Sequence, residues 1–330
     1  MKDREQISFE DRLGQFEKEL RLHCYRLTGS LLDSEDLLQE TLLKAWKKKD
    51  SLREESKLRP WLYRIATNVC LDHLKSQQAR AMPKDIFKAA GPKNNLPSPY
   101  TDLPWLEPFP DSLIPNHIDN PEAAIIKQEE LSLAFLTSIQ LLPARQRAVL
   151  ILIDVLDWSP QETAEALGYS LSSINSRLYR ARKSLRGKEN KSIARKVKDE
   201  EEKVLLKKFL NAWESSDVEG LSQLLSEDAI FQMPPFQSWF NGRAEITEMI
   251  HHHLFDSSEV TRWKLSRFDA NRKPAYLLSR LDEKTLNYGP FGLMMVSANG
   301  GYVSEIVAFL NPLLISFIQK YEREVSLVSE

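Results

Sequence analysis

The sequence predicts a multidomain chain, two all-α helical domains followed by an α+β domain, and three observations carry that prediction. From about residue 10 to 80 the apolar residues recur at helical spacing, with a single proline, Pro60. Between Pro83 and Pro121 stand nine of the chain's seventeen prolines, a density that no helix survives. From about Glu200 onward, helical patterns alternate with β-rich runs, and Asn299-Gly300-Gly301 supplies a hairpin signal. The boundaries follow: a helical domain over 10–80, a Pro-rich linker over 81–121, a second helical domain over 122–188 and an α+β domain over 197–326.

Composition narrows the class. Of 330 residues, 42% are hydrophobic and 28% charged, which suits globular domains. No apolar run approaches the ~20 residues that a bilayer span requires, and Met1–Glu10 is too charged for a signal peptide. The expected location is the cytoplasm, with no membrane association. Cys24 and Cys70 form no Cys-x-x-Cys, so packed free thiols are expected and no metal or other cofactor is implied. The net charge of -2 hides a local basic run: Arg177–Lys198 holds ten basic residues and one acid, Glu189. A phosphate-facing patch needs local rather than global charge.

In the first domain, Asp33 can cap a helix whose first turn carries Glu35 and Asp36, suiting the positive end of the dipole. Leu38, Leu42, Ala45 and Trp46 form its expected buried stripe, which leaves Asp36, Leu37, Gln39 and Glu40 facing outward as a candidate protein-docking face. A second helix follows Ser56, a reasonable cap. Its Leu58, Leu62, Ile65 and Val69 recur at 4, 3, 4 spacing as core, while Trp61, Arg64, Asn68, Asp72 and Lys75 share another face. An aromatic among Arg, Asn and Lys suits unstacked bases and phosphates. Trp61 and Tyr63 serve equally well as core, and His73 reads as a helix-end histidine. In the linker, Leu103–Asp111 carries Trp105 and Phe109, which a purely flexible tether would waste, so this part is expected to dock.

The second helical domain has the most explicit local signals. Ser159-Pro160-Gln161-Glu162 is a capping box with proline at the first helical position. Gly168 ends that helix, and Ser170 caps another whose Ile174, Leu178, Ala181 and Leu185 fall on one face. Ser172, Ser173, Ser176, Arg177, Arg180 and Lys183 are the candidate DNA contacts of this helix-turn-helix, whose second helix suits the major groove. Upstream, Leu141–Arg147 opens a supporting helix.

Leu142–Leu150 followed by Trp158–Ala164 resembles region 4 of the extracytoplasmic-function sigma factors in the sigma-70 family, which reads the promoter's -35 element. Asp33–Trp46 is similar to region 2.2 of the same family. The resemblance implies that Asp36 and Gln39 meet the β′ clamp helices of core RNA polymerase, with the β subunit as a further contact. Leu58–Leu74 is similar to regions 2.3 and 2.4, which hold the melted -10 element with help from the preceding loop, here Lys49–Lys57. No ATP-binding or catalytic motif is needed, since opening one base pair costs only a few kcal/mol.

From about Val197 the chain resembles a SnoaL-like domain of the NTF2-like α+β cone fold. The matching segments are Phe209–Trp213, Leu224–Ala229, Met233–Pro235, Trp239–Arg243 and Ile306–Leu310. The resemblance implies a cone with an apolar cavity for a small-molecule ligand. Met233, Trp239, Trp263 and Phe291 are candidate lining residues, or equally plain core. His251-His252-His253 point in different directions on a helix and read as surface. The resulting expectation is a sigma factor, not an enzyme, regulated by its own C-terminal domain. The alternatives are a bifunctional protein with isomerase- or cyclase-type chemistry at Asp228, and a DNA-binding regulator that never joins polymerase.

Overall fold

The computed structural model describes residues 8–52, 54–93, 98–100, 102–115, 131–186, 199–255, 263–282 and 284–328. The chain divides into two compact units. The first comprises Met1–Arg80, Leu106–Phe109 and Leu113–Asn190, and the second comprises Ala81–Trp105, Pro110–Ser112 and Lys191–Glu330. Both helical domains therefore belong to one unit, and the linker is shared between the two.

The first unit is all helical: α1 Phe9–Gly14, α2 Glu17–Thr28, α3 Leu31–Lys47, α4 Leu58–His73, α5 Leu133–Gln140, α6 Ala144–Leu150, α7 Pro160–Leu167 and α8 Leu171–Arg186. A π-type turn, Ile151–Val155, extends α6. Ser30, not Asp33, caps α3, its Oγ accepting from the Asp33 N–H at 3.0 Å. Asp33 instead lies within the first turn and accepts from Arg80 (2.5 Å) and His73 (3.2 Å). Helix α3 buries Leu31, Ser34, Leu37, Leu38, Thr41 and Ala45. It packs on both α2 and α4, so its apolar face covers roughly a third of its circumference. That width takes in Leu37, expected to face outward, and leaves out Trp46, which is 47% exposed. Helix α4 begins without a side-chain cap, because Ser56 sits in the preceding 3-10 turn Glu55–Lys57. It buries Leu62, Tyr63, Ala66, Val69 and Cys70.

The second unit is built on a six-stranded sheet in the order β2-β1-β6-β5-β4-β3. The strands are β1 Leu225–Gln232, β2 Trp239–Asn241, β3 Trp263–Ala270, β4 Lys273–Asp282, β5 Asn287–Asn299 and β6 Tyr302–Phe309. Among the described strands of this sheet, β1 and β6 pair in parallel and the other neighbours pair antiparallel. The β5–β6 hairpin turns on Gly300 and Gly301 at φ +61 and +86, the left-handed values that a tight two-residue hairpin demands. Helices α9 Asp199–Glu214, α10 Val218–Leu224, α11 Arg243–Ile250 and α12 Pro312–Val328 complete the unit. Phe209, Trp213, Phe231, Phe240, Ile246 and Met294 sit in one buried core, each such aliphatic or Phe side chain contributing about 1.5–3 kcal/mol by burial.

The linker docks, as its aromatics predict. In the second unit Lys84 Nζ donates to Glu305 at 2.5 Å, Trp239 Nε1 donates to the Phe87 carbonyl at 2.8 Å, and Trp105 is 9% exposed. In the first unit Leu106 and Phe109 are fully buried.

Candidate functional site

Three faces of the first unit carry the candidate residues. The first is α8. Ser159 and Glu162 form the reciprocal capping box that starts α7, Gly168 ends it at φ +69, and Ser170 Oγ accepts from the Ser173 N–H at 3.3 Å to start α8. Ile174, Leu178 and Ala181 anchor one side of α8 in the core. On the other side Ser172, Arg180 and Lys183 are exposed, with Ser176 half-buried beside them. Arg177 and Ser173 lie on the flank. There Arg177 bonds Ser173 and stacks over the Tyr169 ring at 4.4 Å, which commits it to holding the turn. Arg182 is paired with Asp154 at 2.6 Å. Two exposed residues share the outward row and were not expected there, Asn175 and Tyr179. Their spacing of three and four from Ser172, Ser176 and Lys183 was the available signal. Basic residues beyond Arg186, over 187–198, lie outside the described residues.

The second face is α3. Asp36, Gln39 and Glu40 are exposed within one turn, while Leu37 is buried beneath them. Gln39 donates to Glu35 at 3.2 Å, Glu40 pairs with Lys44 at 2.6 Å, and Glu35 accepts from the buried Arg21 at 2.7 Å. The face is thus acidic and braced from below.

The third face is α4. Arg64, Asn68, Asp72 and Lys75 are exposed along one row, Trp61 is half-buried at its head, and Asp72 pairs with Lys75 at 2.8 Å. Tyr63 is core: it is 2% exposed, donates to Glu19 at 3.1 Å and lies 5.8 Å from the Trp158 ring. Burial pushes its phenol well above the usual range. Trp61 and Arg64 open onto a cleft of about 740 Å³, which Lys57, Arg59, Trp158, Glu162 and Glu165 also line. Basic and aromatic groups from α4 therefore share one space with carboxylates of α7.

Beneath these faces α6 contributes a buried cation. Arg147, 3% exposed, donates to the carbonyls of Ile139 (3.0 Å), Gln140 (2.8 Å) and Leu142 (3.2 Å), and also to the Gln140 side chain and the Leu27 carbonyl. No carboxylate pairs with it among the described residues, and burial lowers its pKa to about 10. The Leu27 bond ties α6 to α2.

In the second unit Met233 and Trp263 are buried in the core, and Phe291 packs against it 4.9 Å from the Trp263 ring. Trp239 is half-buried under the linker. The indole N–H groups of Trp213 and Trp263 are buried and have no acceptor among the described residues. Asp228 is exposed on β1. His251 and His252 are exposed, and His253 sits 3.1 Å from the Pro92 carbonyl.

Comparison with known proteins agrees with this division. Residues 14–80 match the family model described as sigma-70 region 2, residues 132–185 match sigma-70 region 4, and residues 206–289 match a SnoaL-like domain. The chain is 36% identical to ECF RNA polymerase sigma factor SigG of Mycobacterium tuberculosis over 91% of its length and 80% of that protein. It is 27% identical to ECF RNA polymerase sigma factor SigW of Bacillus subtilis over 56% of its length and 91% of that protein. The crystal structure of the Mycobacterium tuberculosis extracytoplasmic function sigma factor SigJ shares the fold, with TM-score 0.57 and 18% identity, covering 94% of this chain and 98% of that one.

Proposed function

The chain belongs to the extracytoplasmic-function RNA polymerase sigma factors, and from that premise we propose how its parts divide the work. The acidic face of α3, centred on Asp36 and Gln39, takes core polymerase through the β′ clamp helices. The outward row of α8 reads the -35 element as duplex: hydroxyls and Asn175 reach base edges, and Arg180 and Lys183 reach phosphates. The row on α4, headed by Trp61, holds the -10 strand by stacking and backbone contacts. The C-terminal α+β domain regulates this activity in the cytoplasm without chemistry of its own, and exposed Asp228 makes a poor buried acid or base.

The observation that carries the reading is the presence, in one chain, of an acidic helix face and, on two other helices, rows of polar, basic and aromatic side chains. Geometry adds a step. A compact unit of this size has a radius of gyration of about 15 Å, whereas roughly 25 base pairs from -35 to -10 span about 85 Å. Reading both elements at once therefore requires the packed helical body to open, which binding to polymerase would drive. In vitro transcription with core polymerase tests the proposal: the full chain should initiate at a promoter, and Asp36→Ala with Gln39→Ala should abolish both initiation and core binding. Retained core binding in that double variant would overturn the assignment of α3.

The two unpartnered indoles favour a second reading, in which the C-terminal domain takes an apolar small molecule bearing an oxygen acceptor. Native mass spectrometry of protein purified from its own host would reveal the added mass. An unliganded mass that apolar ketones and alcohols fail to shift would count against it.

A further inference from the structure

Four residues of the linker, Leu106-Glu107-Pro108-Phe109, are seated in the helical body at the junction of α2 and α3. Every part of the seat is built. The Glu107 N–H donates to the Gly29 carbonyl at 3.0 Å, and the Glu107 carbonyl accepts from the Tyr25 hydroxyl at 2.8 Å. One carboxylate oxygen, Oε2, accepts from both Ser30 Oγ (2.9 Å) and the Leu32 N–H (3.1 Å). Ser30 is itself the cap of α3 and takes the Asp33 N–H, so Glu107, by taking the Leu32 N–H, satisfies a second of the N–H groups that the first turn of a helix leaves open. Phe109 packs 4.6 Å from the Tyr25 ring. A Cβ at Gly29 would stand 2.8 Å from Leu106 Cδ1 and 3.0 Å from Gln140 Nε2, and its φ of +74 is one that glycine tolerates best.

A buried carboxylate is an expensive group to place in a linker. Its seating cannot be put down to apolar packing, because Leu106 and Phe109 would supply that unaided. The carboxyl faces the positive end of α3; burial pushes its pKa up, and Arg80 with the Leu32 and Ser30 hydrogen bonds works against that rise. Helix α3 bears Asp36 and Gln39 one to two turns further on.

We propose that Leu106–Phe109 is a built-in peptide ligand of the helical body, and that Glu107 is a positioning residue which fixes the start of the polymerase-binding helix. The seat recognises a short acidic segment flanked by apolar side chains, and the chain carries its own occupant. The role of Glu107 in polymerase affinity rests on the assignment of α3 made above; its role in ordering α3 does not.

Hydrogen exchange on the full-length protein separates the two. Glu107→Ala should speed exchange of the amides at 107, 32 and 33 by at least about tenfold, the scale of one lost charge-assisted hydrogen bond. The amides of α8 should keep their wild-type rates, whereas a general loss of stability would move them too. Glu107→Gln keeps an acceptor oxygen and should restore slow exchange. Core polymerase affinity should fall about tenfold in Glu107→Ala and recover in Glu107→Gln. Wild-type exchange at 32 and 33 in Glu107→Ala, or equal acceleration in α8, overturns the proposal. Altered exchange with unchanged core affinity leaves the seat standing and removes its tie to polymerase. If Asp36→Ala with Gln39→Ala also binds core normally, it is the assignment of α3 that fails.

Discussion

Helices α4 and α8 both present a row of polar, basic and aromatic side chains, yet the heads of the two rows are kept in different conditions. The outward row of α8 is open: Ser172, Asn175, Tyr179, Arg180 and Lys183 are exposed, and the residues that hold the turn, Arg177 and Ser173, stand off to one side. The row on α4 begins in a cleft that it shares with Glu162 and Glu165 of α7. Its neighbour Arg59 is already paired with Glu19 at 2.8 Å, and its own Lys75 is paired with Asp72. Along α8 the row is open from end to end, whereas on α4 the head, at Trp61 and Arg64, faces carboxylates before the row opens out at Asn68, Asp72 and Lys75. Composition gives a helix its capacity to bind nucleic acid, whereas packing decides when that capacity is available.

Predictions follow from breaking or sharpening this contrast. The largest effect is expected at Arg147, because the closed body depends on it. Arg147→Ala removes the guanidinium donor from the carbonyls of Gln140, Leu142 and Leu27 and leaves a cavity, so it should lower unfolding stability by about 3 kcal/mol. Urea denaturation measures this, and a loss below about 1 kcal/mol would mean that the guanidinium is not holding the body together.

Acid should act next, and on the α4 side alone. His23 lies beneath α4, its Nε2 2.8 Å from Thr67 Oγ and its ring 4.9 Å from that of Tyr63. Burial first, and then Arg26, lower its pKa to about 3. A depressed value means the stabilising contribution is complete above about 6.5 and is lost as pH falls toward 3. Amides of α4 should therefore gain exchange on acidification before those of α8, and His23→Gln should flatten the response. Simultaneous loosening of both helices would contradict this account.

On the open helix, Asn175→Ala should relax discrimination at one base of the -35 duplex by about 1–3 kcal/mol in competition binding. Single-strand affinity should not change. The smallest effect is expected from lifting the screen. Glu162→Gln with Glu165→Gln keeps the capping box in place. It should tighten single-stranded -10 binding by the free protein about two- to fivefold at low salt, and the gain should fade as salt rises. Unchanged affinity at low salt would show that the carboxylates do not screen the head of the α4 row.

How much of this was legible in the sequence depended on how far each signal reaches along the chain. The helix-turn-helix was legible because its signals are local: Ser159 and Glu162 cap each other across three residues, and Gly168 makes its own turn. The hairpin at Gly300 and Gly301 was legible for the same reason. The exposed row on α4 also held, since its spacing of three and four needs only the helix that carries it. Leu37 was misjudged because its burial depends on α2 and α4 together, and a single helix's periodicity does not record how many neighbours it meets. The three-residue strand β2 is too short to show a period. Docking of the linker could be expected from Trp105 and Phe109, but not its seat. Glu107 reaches partners more than seventy positions away, and a carboxylate in a proline-rich stretch ordinarily reads as solvated.

Gly29 gives the arrangement a genetic consequence. It is the point where the end of α2, the linker and Gln140 of α5 converge, and one added methyl would collide with two of them at once. Gly29→Ala touches none of the side chains assigned to polymerase or promoter, yet it would push on the linker and on the second helical domain together. A search for alleles that weaken polymerase binding without altering any binding face should therefore recover substitutions at position 29.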